Sequence, residues 1–210
     1  MNLFYLELIG TVAFASSGAM IAIEKKMDIF GVNVLGATTA VGGGIMRDII
    51  LGLTPPGAFS HPVYVLVAAL TSTILFVIAY AKPTAFESRV KTDYYDKLMF
   101  WCDTAGLGIF TVVGIQAAVR AVGGENVFFF VFIGTLTGVG GGVLRDIMAG
   151  ETPYILVKHI YACAAIAGGI VCVVGRTAFG EAYGTILGLA ATVLLRFLAA
   201  HFRWNLMRVS

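Results

Sequence analysis

The chain has 210 residues, of which 59% are hydrophobic and only 12% charged, and its mean hydropathy is +0.90. A net charge of +2 without any basic run excludes a nucleic-acid partner. Uncharged runs near the roughly 20 residues that cross a bilayer exclude an ordinary soluble domain.

Seven spans follow in chain order. Met1-Asn-Leu-Phe-Tyr-Leu-Glu7 lacks the basic start of a cleaved signal peptide, so residues 3–23 are the first span. It ends at the charged turn Glu24, Lys25, Lys26, Met27, Asp28. Span 2 covers 29–51 and is closed by Thr54, Pro55, Pro56 and Gly57; span 3 covers 62–81, with Pro62 suited to a first helical turn. Residues 82–97 form the one long polar segment, a loop with room for a short interfacial helix. Spans 4 to 7 cover 98–122, 126–149, 154–174 and 181–202. The fold class is an all-α integral membrane protein.

Spans 2 and 5 carry one motif twice: Gly42, Gly43, Gly44, Arg47, Asp48 and, 98 residues on, Gly140, Gly141, Gly142, Arg145, Asp146. Each glycine costs roughly 1 kcal/mol in a helix interior, so three together predict that both helices break there. The likeness extends to Phe14 and Gly18 against Phe110 and Gly114, with Glu7 opposite Asp103. Residues 1–81 and 98–174 are therefore two copies of a three-span unit within one membrane domain, and 181–202 is appended. An odd number of spans makes the second copy enter from the opposite side, an inverted 3+3 repeat plus a seventh helix.

Lysine and arginine set the orientation. Lys25, Lys26, Lys82, Arg89, Lys91, Lys97, Lys158, Arg203 and Arg208 flank one face, against Arg120 and Arg176 on the other. This predicts an inner (plasma) membrane protein with the N-terminus outside and the C-terminus cytoplasmic.

Arg47, Asp48, Arg145 and Asp146 lie within spans, where a charge costs about 2.5–3.5 kcal/mol or more and faces the bundle interior. With the glycine breaks they mark the expected permeation or substrate site: freed carbonyls would replace water around a cation and freed amides would hold a carboxylate. In the competing structural reading, the charges tie helices together and the glycines only permit close packing. Ser16, Ser17, Thr38, Thr39, Thr135 and Thr137 are candidates to line the path. Gly180, Gly184 and Gly188 form a packing row, and Arg196 is expected to snorkel to the cytoplasmic boundary. Cys102, Cys163 and Cys172 have no CxxC spacing and read as packing residues. The isolated His61, His159 and His201 give no metal site. No nucleophile–base arrangement is visible, which argues against an enzyme, and no cofactor is implied.

The paired Gly-Gly-Gly-x-x-Arg-Asp segments on seven spans resemble the bacterial branch of the trimeric intracellular cation (TRIC) channel family, also described as a glycine transporter family. The resemblance covers essentially the whole chain. It implies a homotrimer in the lipid bilayer with one pore per protomer beside spans 2 and 5, and permeation of potassium or other monovalent cations. It equally implies the alternative, a transporter of glycine or another small neutral amino acid. Broken inverted repeats suit alternating access. The scarcity of deep acids favours a passive path, while two intramembrane arginines oppose a cation pore unless neutralised or kept off its axis.

Depth predicts the neutralising partners. Arg47 and Glu7 both sit roughly 7 Å below one boundary, and Arg145 and Asp103 mirror them at the other. The expected pairs are Arg47 with Glu7 and Arg145 with Asp103, leaving Asp48 and Asp146 to attract a cation or cap a half-helix.

Overall fold

The computed structural model describes residues 3–81, 93–157 and 160–204. The predicted polar loop lies outside them as far as residue 92. So do Lys82, Arg89, Lys91, Lys158, Arg208 and His159.

Among the described residues, seven helices are long and apolar enough to cross a membrane. Numbered in chain order with two single turns, they are α1 (Leu3–Glu24), α2 (Ile29–Ile50), α4 (Val63–Ala81), α5 (Asp93–Val122), α6 (Val127–Met148), α8 (Tyr161–Phe179) and α9 (Glu181–His201). The single turns are α3 (Gly57–Ser60) and α7 (Tyr154–Val157). α1, α2, α5 and α6 pack together at the centre, α4 lies against α1 and α2, and α8 lies against α5 and α6. α9 packs on α8 and α5. Large apolar side chains such as Phe30, Leu66, Tyr80 and Phe128 point outward. A surface this apolar is stable in lipid and not in water. The protein is a multi-pass membrane protein.

Both motif helices begin and end alike. Asp28 accepts from Gly31 N at 2.7 Å and Asn126 from Phe129 N at 3.0 Å, each satisfying an orphan amide of a first turn. At the far ends Gly52 and Gly150 take φ near +70°. Leu53 N and Glu151 N there return to the carbonyls of Asp48 and Asp146 at 2.8 and 2.9 Å.

The expected breaks at the glycines are absent: α2 and α6 run as continuous helices through Gly42–Gly44 and Gly140–Gly142. The glycines instead let the two helices touch. A Cβ on Gly43 would lie 2.1 Å from the carbonyl oxygen of Thr137, and one on Gly141 would lie 2.1 Å from that of Thr39. Freed backbone groups in hydrocarbon cost several kcal/mol each, more than three helical glycines. Close packing offsets the glycine cost without opening the hydrogen-bond ladder.

Two boundaries also differ from expectation. α5 starts at Asp93 rather than residue 98, and Tyr95 of its first turns is buried and donates to Met20 O at 2.7 Å. The sixth span is α8, preceded by the separate turn α7, and Ile160 just before α8 is left-handed at φ 39°. A β-branched residue there ends helical continuity.

Candidate permeation site

The motif charges form two clusters, one at each end of the bundle. On the side where α1 begins, Arg47 Nε donates to Asp48 Oδ1 at 2.7 Å, and Asp48 Oδ2 accepts from Gly57 N at 2.7 Å. On the side where α9 ends, Arg145 Nε donates to Asp146 Oδ1 at 2.8 Å, and Asp146 Oδ2 accepts from Tyr154 N at 2.8 Å. Each aspartate therefore holds its neighbouring arginine and caps the short turn that follows. Asp48 and Asp146 are both buried. Of the two roles expected of them, attracting a cation or capping a half-helix, the structure shows capping of the turns that follow, with the adjacent guanidinium on the other oxygen.

Beyond this shared core the ends diverge. Arg145 is fully buried, and its Nη1 donates to Asp103 Oδ1 at 2.8 Å and to Ser17 Oγ at 2.5 Å. Asp103 also accepts from Tyr161 Oη at 3.3 Å and from Arg196 Nη2 at 3.4 Å. Two guanidinium groups thus face two carboxylates in a closed, neutral cluster. The Arg145–Asp103 pairing is as depth predicted. Arg196 does not snorkel: it is buried, with its guanidinium carbon 4.7 Å from the centre of the Tyr161 ring and 4.9 Å from that of Phe100.

At the other end Glu7 pairs not with Arg47 but with the hydroxyl of Tyr64, which donates to Glu7 Oε2. Arg47 turns to Asp48 instead. The residues line a cavity of about 150 Å³ together with Thr11, Ala40, Gly44, His61 and Phe110. Gly44 of its lining directly follows Gly43, which presses on the opposing helix. The Glu7–Arg47 end therefore carries a charged cavity, whereas the charges of the Asp103–Arg145 end are buried against one another.

The candidate hydroxyls divide. Ser17 belongs to the closed cluster. Thr39 and Thr137 are buried and donate to Leu35 O and Ile133 O of their own helices at 2.6 and 2.7 Å. Ser16 donates to Val12 O and lies in an apolar groove beside Trp101 and Cys102, whose lining includes none of the charged residues. Thr38 and Thr135 are half-buried, and the Thr135 hydroxyl is unpartnered among the described residues. The row on α9 splits likewise. Gly184 and Gly188 press on α8 at Cys172 and Arg176, while Gly180 caps the helix at φ 92°.

Sequence reasoning missed Tyr64, Tyr161 and the role of Arg196. A signal existed in each case. The tyrosines follow their motif arginines by 17 and 16 residues, and Arg196 is a lone charge inside a span.

The profile of the Glycine transporter family matches residues 4–80 and again 100–177. The inner membrane protein YadS of Escherichia coli K12 is 37% identical over 208 residues, spanning 98% of this chain and 94% of its own. YvgT of Bacillus subtilis 168 is 33% identical over 201 residues, with 96% and 93% covered. Among solved structures, the TRIC trimeric intracellular cation channel orthologue of Rhodobacter sphaeroides superposes with a TM-score of 0.84 at 32% identity, covering 96% of this chain and 98% of that one. A TRIC cation channel solved to explain conductance gives 0.83 at 35% identity, over 100% and 98%. With both copies of the motif inside the matched segments, the chain belongs to the Glycine transporter family, the bacterial branch of the TRIC channels, and is an inner-membrane protein.

Proposed function

We propose that the protein is a channel for monovalent cations, potassium among them, with one path in each protomer of a homotrimer. The observation that carries this reading is likeness to TRIC cation channels over nearly the whole chain, at TM-scores of 0.83 and 0.84. The electrostatics agree with it. Arg47 is neutralised by Asp48 and Arg145 by Asp103 and Asp146, which removes the main objection to cations passing two intramembrane arginines. In this reading residues 1–81 and 98–174 are inverted copies, with α9 added. The path runs beside the α2–α6 crossing, past Gly42–Gly44 and Gly140–Gly142, from the Glu7–Arg47 cavity toward the Asp103–Arg145 cluster. The distribution of lysine and arginine puts the cavity outside and the C-terminus in the cytoplasm.

A second reading, uptake of glycine or another small neutral amino acid, is favoured by one feature. A cavity open at one end and lined by both Arg47 and Glu7 suits a zwitterion. Flux into liposomes holding the purified protein separates the two, with potassium driven by voltage and labelled glycine by its own gradient. The channel reading expects potassium flux far above about 10³ ions per second, beyond ordinary turnover. Saturable glycine uptake with no potassium current would replace it.

A further inference from the structure

Phe100, Asp103 and Tyr161 together hold a guanidinium, that of Arg196. The same three kinds of group recur at the other end of the bundle as Phe4, Glu7 and Tyr64, at offsets of 96, 96 and 97 residues. Tyr64 donates to Glu7 as Tyr161 does to Asp103, and the Phe4 and Tyr64 rings pack 6.1 Å apart. Arg196, however, comes from α9, the helix without a counterpart in the first copy. Charge follows the same asymmetry. Around Asp103 two arginines face two aspartates, whereas around Glu7 one arginine faces two carboxylates. What adjoins Glu7 and Tyr64 is the cavity of about 150 Å³, large enough for a small head group.

We propose that the Glu7–Tyr64 wall of this cavity binds a monovalent organic cation bearing a guanidinium or primary ammonium group. The chain itself shows what this constellation recognises: a carboxylate supplies the charge, and the tyrosine ring supplies a π face that favours a weakly hydrated planar cation. Arg47, on another wall, does not forbid this, because Asp48 already faces its charge. A ligand with one positive charge brings the Glu7 end to the neutrality of the Asp103 end. Two sources share this chemistry: a soluble amine or guanidine, and the ammonium head group of phosphatidylethanolamine. The site does not require that the cavity conducts.

The test is equilibrium dialysis of labelled methylguanidinium against the full-length protein in a neutral maltoside detergent, with ionic strength held constant by potassium chloride. We expect saturable binding of one cation per protomer, weakened about tenfold or more by Glu7→Gln, the scale of a hydrogen bond to a charged group. Tyr64→Leu, which removes the ring and hydroxyl but keeps the carboxylate, weakens it too and serves if Glu7→Gln does not fold. Added phosphatidylethanolamine, compared with phosphatidylglycerol, competes if the lipid is the natural source and has no effect if a soluble cation is. Either outcome supports the site. Absence of saturable binding above the potassium background, or equal binding by the parent and both variants, overturns it. Because binding is read without flux, failure here leaves conduction untouched, and failure of conduction leaves the site testable.

Discussion

Asp103 accepts from Arg145, Tyr161 and Arg196 while almost wholly buried. Removing one member of such a cluster strands charge in a dry interior, so Asp103→Asn is expected to cost about 3–5 kcal/mol in detergent unfolding. A loss under about 1 kcal/mol would show that the cluster adds little. Arg196→Ala should also destabilise, and added methylguanidinium should restore part of the unfolding midpoint while equal potassium chloride does not. The Asp103–Arg145 pair was legible from depth along two spans. The expected Glu7–Arg47 pair does not form, because Tyr64 of α4 donates to the Glu7 carboxylate. The bond of Arg47 to its neighbour Asp48 does not decide this, since Arg145 bonds to Asp146 in the same way and still reaches Asp103. In the corresponding double-mutant cycles, coupling for Asp103 with Arg145 should therefore exceed that for Glu7 with Arg47.

The glycine triplets show how one pattern supports two element-scale readings. Three weak helix formers in a row argue for a break, yet α2 and α6 stay helical because their carbonyls at Thr39 and Thr137 need the room. What sequence could not supply was the identity of the opposing helix. Individual glycines are now distinguishable. Gly43→Ala and Gly141→Ala each force a methyl onto backbone 2.1 Å away, and each should cost about 1–3 kcal/mol, read as loss of folded protein as well as transport. Gly44→Ala meets only the far end of Arg47, at 3.9 Å, and should be neutral or stabilising by up to about 1 kcal/mol. If all three behave alike in unfolding, crossing contacts are not what the glycines serve.

For the molecule as a whole, apolar run length alone yielded all seven spans, since a 30 Å hydrocarbon layer dictates helix length more strictly than any soluble core. The polar start of α5 escaped that argument because its Tyr95 is held by a bond to another helix. We expect mass measurement in detergent to give three protomers; monomers or dimers alone would refute the trimer. Glu151, just past α6, meets Lys25, just past α1, and this hydrogen bond holds the exposed lysine ammonium above its ordinary pKa. The α2–α6 crossing carries a mechanical consequence. Because Gly43 and Gly141 each rest on the other helix's carbonyl, sliding along the axis by one turn, about 5.4 Å, would bring Thr39 or Arg47 to the place of Gly43. Neither side chain fits there. The α2–α6 pair is therefore barred from piston motion, and relative movement of these two helices is confined to a tilt about their crossing point.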